Sequence, residues 1–203
     1  MAIRQILYLP DPALKTVCDP VDSVTSEVQA LMDDLLETMY DDNGIGLSAN
    51  QVGVLQRVLV MDVPKGAWKY TGEDADGILH IGSARRGDAG AEETDEEIDT
   101  HNVLMMANPE IIEASEQKSA YLEGCLSVPG QFADVVRPAK VKVRYLDRDG
   151  KTQEQEFEGL DSHCVQHEID HLNGIVFIDH LSRLKRSTLV RKLEKYKKSH
   201  NLD

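Results

Sequence analysis

Two histidines four residues apart, in His167-Glu168-Ile169-Asp170-His171, constrain this chain more than any other feature. Residues four apart stack on one face of a helix, so both imidazoles can reach a single metal ion. Glu168 is the next residue round and can lean over the ion's open position without ligating it. A divalent ion lowers the pKa of bound water from 15.7 to about 7, and a neighbouring carboxylate can take the proton. A catalytic site of this kind normally has three protein ligands, so one must come from elsewhere.

Two cysteines offer it. Cys164 precedes His167 by three residues on the same helix, but at about 1.5 Å of rise per residue it sits about 10 Å along the axis from His171. It is assigned to the apolar core beside Leu160. Cys125 lies in the strand-like Tyr121-Leu122-Glu123-Gly124-Cys125-Leu126-Ser127, where a glycine permits close backbone approach. Cys125 is the expected third ligand. A Cys/His/His set tolerates ferrous iron as well as zinc, nickel or cobalt. His163 and His180 are read as surface or hydrogen-bonded core.

Gly44-Ile45-Gly46-Leu47-Ser48-Ala49-Asn50-Gln51 begins like a dinucleotide fingerprint. That fingerprint must follow a strand and open a helix, whereas these glycines close a helix and lead toward a strand. A C-cap and turn account for Gly44. Gln51 is left over, and its amide is a candidate donor to a developing oxyanion.

The remaining pattern is α+β. Val28, Leu31, Met32, Leu35, Leu36, Met39 and Tyr40 mark one face of a helix from Ser26 to about Asp42, with Ser26 and Gln29 as a capping box. Strands are expected at Arg57–Val63, at Val103–Ala107 and near Ile111, at Lys140–Tyr145 and, after a turn at Asp149-Gly150, in a second strand through Phe157, with a short one at Ile175–Ile178. Helices are expected from Leu160 to Asn173 and from Leu181 to His200, the latter with Leu181, Leu184, Leu189, Leu193 and Tyr196 on one side. Residues 65–102 hold six glycines and ten acids against four bases, with little periodicity. They read as an acidic surface insertion in a single domain spanning 1–203, and His80 and His101 within them as polar surface.

Three cysteines without a secretory signal argue against a disulfide framework, and no apolar run approaches the ~20 residues needed to span a bilayer. The chain is expected in the cytoplasm, without a membrane. A net charge of −14 disfavours sequence-specific nucleic-acid binding. From Leu181 onward, however, eight Lys and Arg face only Glu194 and Asp203, a basic tail on an acidic body.

GIGLSANQ at Gly44–Gln51, EGCLS at Glu123–Ser127 and QHEIDH at Gln166–His171, in that order, closely resemble the three signature motifs of bacterial peptide deformylases. The resemblance extends to Pro10-Asp11-Pro12-Ala13-Leu14 and to the region near Leu181–Arg186, and covers nearly everything outside 65–102. It implies antiparallel sheets around a central metal-binding helix, with an N-terminal helix and a C-terminal helix. It implies that Cys125, His167 and His171 bind one divalent metal ion, usually Fe(II) in this family. Glu168 would be the general acid/base, with Gln51 and the Leu126 N–H at the oxyanion. The implied substrate is an N-formylmethionyl peptide, and the implied partner of the basic C-terminal helix is the ribosome. Ile45, Leu160 and Cys164 are candidates for the methionine pocket, with Gly46 and Gly124 beside them. The chain departs from the family's pattern in the length of the insertion, in Ser48 where alanine is common, in Phe132 where some members carry arginine, and in His163 where a pocket residue is often apolar.

Overall fold

The computed structural model describes residues 2–83 and 101–202. In chain order these form α1 (Ser26–Asp41), β1 (Gly46–Ser48), β2 (Val58–Asp62), β3 (Trp68–Glu73), β4 (Leu79–Ser83), β5 (Val103–Ala114), β6 (Lys118–Gly124), β7 (Phe132–Pro138), β8 (Lys140–Leu146), β9 (Thr152–Glu158), α2 (Gly159–Leu172) and α3 (Arg183–His200). Short 3-10 turns occupy Pro12–Lys15, Ala49–Val52 and Phe177–His180. The α+β class expected from the sequence is the class observed.

The first sheet runs β1-β2-β5-β8-β9 and is antiparallel throughout. Its β2 strand is buried at every position because it is covered on both faces. Val58 and Val60 point to one side and pack with Val28, Leu31, Met32, Leu35 and Met39 of α1. Leu59 and Met61 point to the other and pack with Leu160, Cys164, Val165, Ile169 and Leu172 of α2. Alternation along one strand therefore sorts two helices to opposite faces.

The second sheet, β3-β4-β6-β7, closes over the other side of α2. It is mixed rather than purely antiparallel, since β4 and β6 pair in parallel through Leu79–Ser119 and His80–Ala120. Between the two sheets α2 buries twelve of its fourteen residues. Polar groups at such depth need partners. Gln166 Nε2 donates to the Pro138 carbonyl at 3.0 Å, and the Asn50 amide donates to the His171 carbonyl at 2.6 Å.

Several local expectations are corrected. The α1 cap is Thr25, whose hydroxyl accepts from the Val28 N–H, rather than Ser26. Val103–Ala107 and Ile111 belong to one continuous strand. Ile175–Ile178 is not a strand. The Asp179 carboxylate accepts the Val176 N–H at 2.9 Å, and the Asp179 N–H reaches the Val176 carbonyl at 2.8 Å, so the segment closes on itself as a 3-10 turn. The last helix begins at Arg183 rather than Leu181; within it Leu193 is buried, Leu189 and the preceding Leu181 pack against the core, and Leu184 stands 75% exposed.

The segment read as a patternless insertion contributes the β3–β4 hairpin, and residues 84–100 of it lie outside the described residues. Its Trp68, the chain's one tryptophan, is half-buried against the first turn of α2. The indole N–H donates to Asp161 at 3.0 Å. Gly159, at φ +58, makes the contact possible, because a Cβ there would lie 2.1 Å from the indole ring. Trp68→Ala is expected to remove about 2 kcal/mol and lower the thermal midpoint by about 4–8 °C. An unchanged midpoint in a calorimetric scan would show that the hairpin does not brace α2.

Candidate metal centre

The buried helix delivers two imidazoles to one point, and the chain just after β6 delivers a sulfur to the same point. Cys125 Sγ and one ring nitrogen each from His167 and His171 lie within 4.8 Å of one another. Cys125 Sγ is 3.2 Å from His171 Nε2. Two ligands on a tetrahedral ion at ordinary metal–sulfur and metal–nitrogen lengths are about 3.6 Å apart, so the cluster fits one ion after a small expansion. It is the one such His, Cys or carboxylate cluster among the described residues.

Of the three ligands, His167 is held from behind most fully. His167 Nδ1 is 2.9 Å from Glu123 Oε2, which leaves Nε2 for the centre. Phe177 stacks on the His167 ring at 6.1 Å between centroids and 24° between planes. Glu123 also takes a bidentate contact from Arg137, at 2.6 and 3.0 Å, and a 3.1 Å contact from His163 Nδ1. Burial alone would raise the Glu123 carboxyl, but His163, His167 and Arg137 hold it well below the usual carboxylate range. Arg137 continues to Asp170 at 2.7 Å, and Asp170 to His180 at 2.7 Å. His163 and His180 therefore serve the network around the centre and ligate nothing in it.

Glu168 stands apart from this network. Burial pushes its carboxyl up to about 7, against the opposing influence of His167 and the Ser48 hydroxyl. Its Oε2 and His171 Nδ1 are buried without a hydrogen-bond partner among the described residues. Gly46 of β1 leaves the carboxylate its room, since a Cβ there would lie 2.5 Å from Glu168 Oε1 and 2.9 Å from Cys164 Sγ.

Gln51 is oriented by its own oxygen. Oε1 accepts from the Ser48 N–H at 2.9 Å and the Ser48 hydroxyl at 2.8 Å, so Nε2 must face the centre. There it reaches Ser127 Oγ at 3.1 Å and Cys125 Sγ at 3.7 Å. The Ser48 N–H, which any residue there would present, sets the amide's direction, and the serine hydroxyl adds a second donor.

A cleft of about 610 Å³ opens onto the centre. Ile45, Gly46, Gln51, Gly124, Cys125, Leu126, Leu160, Cys164, His167 and Glu168 all line it, and His171 lies fully buried behind. Cys164 is no ligand: it is buried, its thiol contacts the Ile45 carbonyl at 3.4 Å, and burial pushes its pKa well up. Sequence reasoning missed Arg137, Phe177, Ser127 and the role of Glu123. Glu123 and Ser127 left a signal, since they open and close the motif that carries Cys125.

A model of the polypeptide deformylase family matches residues 3–187. A peptide deformylase of Methylocella silvestris is 49% identical over 195 residues, covering 96% of this chain and 85% of that one. One from Rhizorhabdus wittichii is 47% identical, covering 98% of each. The crystal structure of peptide deformylase from Ehrlichia chaffeensis superposes with a TM-score of 0.78 at 35% identity, covering 98% of this chain and 99% of that one. The same enzyme in complex with actinonin gives a TM-score of 0.77 at 36% identity. On the strength of this likeness along nearly its whole length, the chain belongs to the polypeptide deformylase family, metal-dependent hydrolases that remove the formyl group from N-terminal formylmethionine.

Proposed function

We propose that the cleft holds the formylmethionine of a new polypeptide while Cys125, His167 and His171 hold the ion, Glu168 moves the proton, and Gln51 with the Leu126 N–H holds the formyl oxygen. The convergence of one sulfur and two imbedded imidazoles within 4.8 Å carries this reading. It also disfavours an ordinary metallopeptidase, which would use a third His or Glu and leave Cys125 idle. We assign Fe(II), following the family resemblance, with zinc, nickel or cobalt as substitutes that the same ligands accept.

When bound, a divalent ion supplies Lewis acidity, making a water nucleophilic near neutral pH. Glu168 takes a proton from the attacking water as its oxygen bonds to the formyl carbon. The formyl oxygen gains negative charge and is held by the Gln51 Nε2–H and the Leu126 N–H. As the C–N bond breaks, Glu168 returns the proton to the leaving nitrogen, giving a free amine and formate. Ile45, Leu160 and Cys164 offer the methionine side chain apolar walls, and Gly46 and Gly124 leave it space.

The basic face of α3 is our candidate for ribosome contact in the cytoplasm, since its Lys and Arg residues are largely exposed. Co-sedimentation with ribosomes should weaken as salt rises, and no co-sedimentation at low salt would reject that part. No helix among the described residues is long and apolar enough to cross a membrane.

Turnover of formyl-Met-Ala by the iron- or nickel-loaded chain, followed anaerobically as free amine, tests the activity directly. Full metal occupancy without turnover would overturn it. Glu168→Gln is expected to keep the metal, measured by elemental analysis, and to lose about 10²–10⁴ in kcat. In the unaltered chain the working form of Glu168 is the carboxylate, so kcat/KM should fall as pH drops through its pKa. Burial places that pKa near 7 and a cation beside it draws it down, so the acid limb should fall below about 7. A rate that stays flat from pH 7 to pH 4 would remove Glu168 as the base.

A further inference from the structure

The family match ends at residue 187, yet the far end of α3 returns to the mouth of the cleft. Tyr196 and Leu202 line that mouth with Tyr8, Leu122, Pro129 and Phe132. Three tethers hold them there. The Tyr196 ring lies against the backbone at Gly130, where φ is +68 and a Cβ would come within 2.8 Å of the ring. The neighbouring Lys197 ammonium turns to the Leu9 carbonyl at 3.3 Å. Asn201 takes a left-handed conformation, φ 53, and the Leu202 N–H donates back to the Lys197 carbonyl at 3.1 Å. That closure folds Leu202 toward the cleft instead of onward along the helix axis.

The opposite lip is apolar and open. Phe132 lies across Gly124, its ring 2.6 Å from where a Cβ would be, and remains 61% exposed, while Leu122 is 55% exposed. A single exposed apolar residue carries little meaning, but these are contiguous with the cleft that leads to the metal centre. The charge on the walls is one-sided. Asp42, Glu123 and Glu168 line the cleft, Glu123 is paired with Arg137, and no Lys or Arg is among the lining residues.

We propose that Tyr196 and Leu202, facing Phe132, form a subsite for an apolar side chain of the peptide downstream of formylmethionine, which makes the C-terminal end of α3 a determinant of substrate preference. The inference rests on the deformylase reading. An apolar side chain gains burial between the two lips, whereas an acidic one meets Asp42 and no Lys or Arg among the lining residues.

The test compares kcat/KM for formyl-Met-Ala-Leu-Leu and formyl-Met-Ala-Glu-Glu on the metal-loaded full chain. The leucine peptide should be favoured by about tenfold, chiefly through KM, as expected for partial burial of an apolar side chain. Tyr196→Ala with Leu202→Ala should bring the ratio to within about twofold by raising KM for the leucine peptide at unchanged kcat. Leu202→Ala alone should give part of the same loss, and Tyr196→Phe should keep the preference. A ratio near one in the unaltered chain would overturn the proposal. So would an equal loss on both peptides in the variants, because that marks a structural role only. Failure of the unaltered chain to turn over formyl-Met-Ala would strike the deformylase reading beneath it.

Discussion

One carboxylate, Glu123, joins the second sheet to the metal-binding helix, and the centre depends on it. Both of its oxygens are engaged inside the protein, by Arg137 and His163 on one and by Arg137 and His167 on the other. A buried carboxylate is tolerable only when paired and hydrogen-bonded, and removing one partner of such a pair costs about 3–5 kcal/mol. The same contacts that make the charge tolerable fix the rotamer of His167 and present its Nε2 to the centre. Stability and site geometry therefore have a common cause here. Arg137, shared between Glu123 and Asp170, extends the constraint across β6, β7 and α2.

Close approach is the second constraint, and it acts through two glycines, Gly46 of β1 against α2 and Gly159 at the start of α2. Gly46 lets β1 come close against Glu168, and Gly159 lets the β3–β4 hairpin lay an indole on the helix start. Larger residues would separate the layers at both points. An α2 that moved outward by even 1 Å would carry two ligands and the proton carrier with it, a displacement that can cost about 10² in rate.

What could be read in the sequence was what is local or periodic. The α1 stripe, the alternation of Val141, Val143 and Tyr145, and the stacking of His167 over His171 each lie within one element and obey its repeat. Cys125 was legible by elimination, because two histidines demand a third ligand and Cys164 lies on the wrong turn. The β3–β4 hairpin was not legible. Its Trp68 finds Asp161 some 93 residues away, and of its strands only Trp68, Tyr70 and Ile81 pack against the core, too few positions to stand out as an alternating pattern. Phe177 and Arg137 were hidden for a like reason: each is ordinary in its own segment and gains meaning only from a side chain that tertiary folding brings to it.

The contrast between Glu123 and Glu168 shows how one buried neighbourhood gives two carboxylates opposite properties. Both are nearly inaccessible to solvent. Glu123 meets a guanidinium and two imidazoles and is held ionised, so it is of no use as a proton carrier near neutral pH. Glu168 has an oxygen without a hydrogen-bond partner among the described residues, and burial raises it to about 7, where accepting and returning a proton cost least. Their positions explain the difference. Both line the cleft, but Glu123 on β6 lies within reach of Arg137, His163 and His167, whereas Glu168 on α2 turns one oxygen to no partner among the described residues. A lone carboxylate is thus the arrangement that a cleft admitting both water and a peptide can hold.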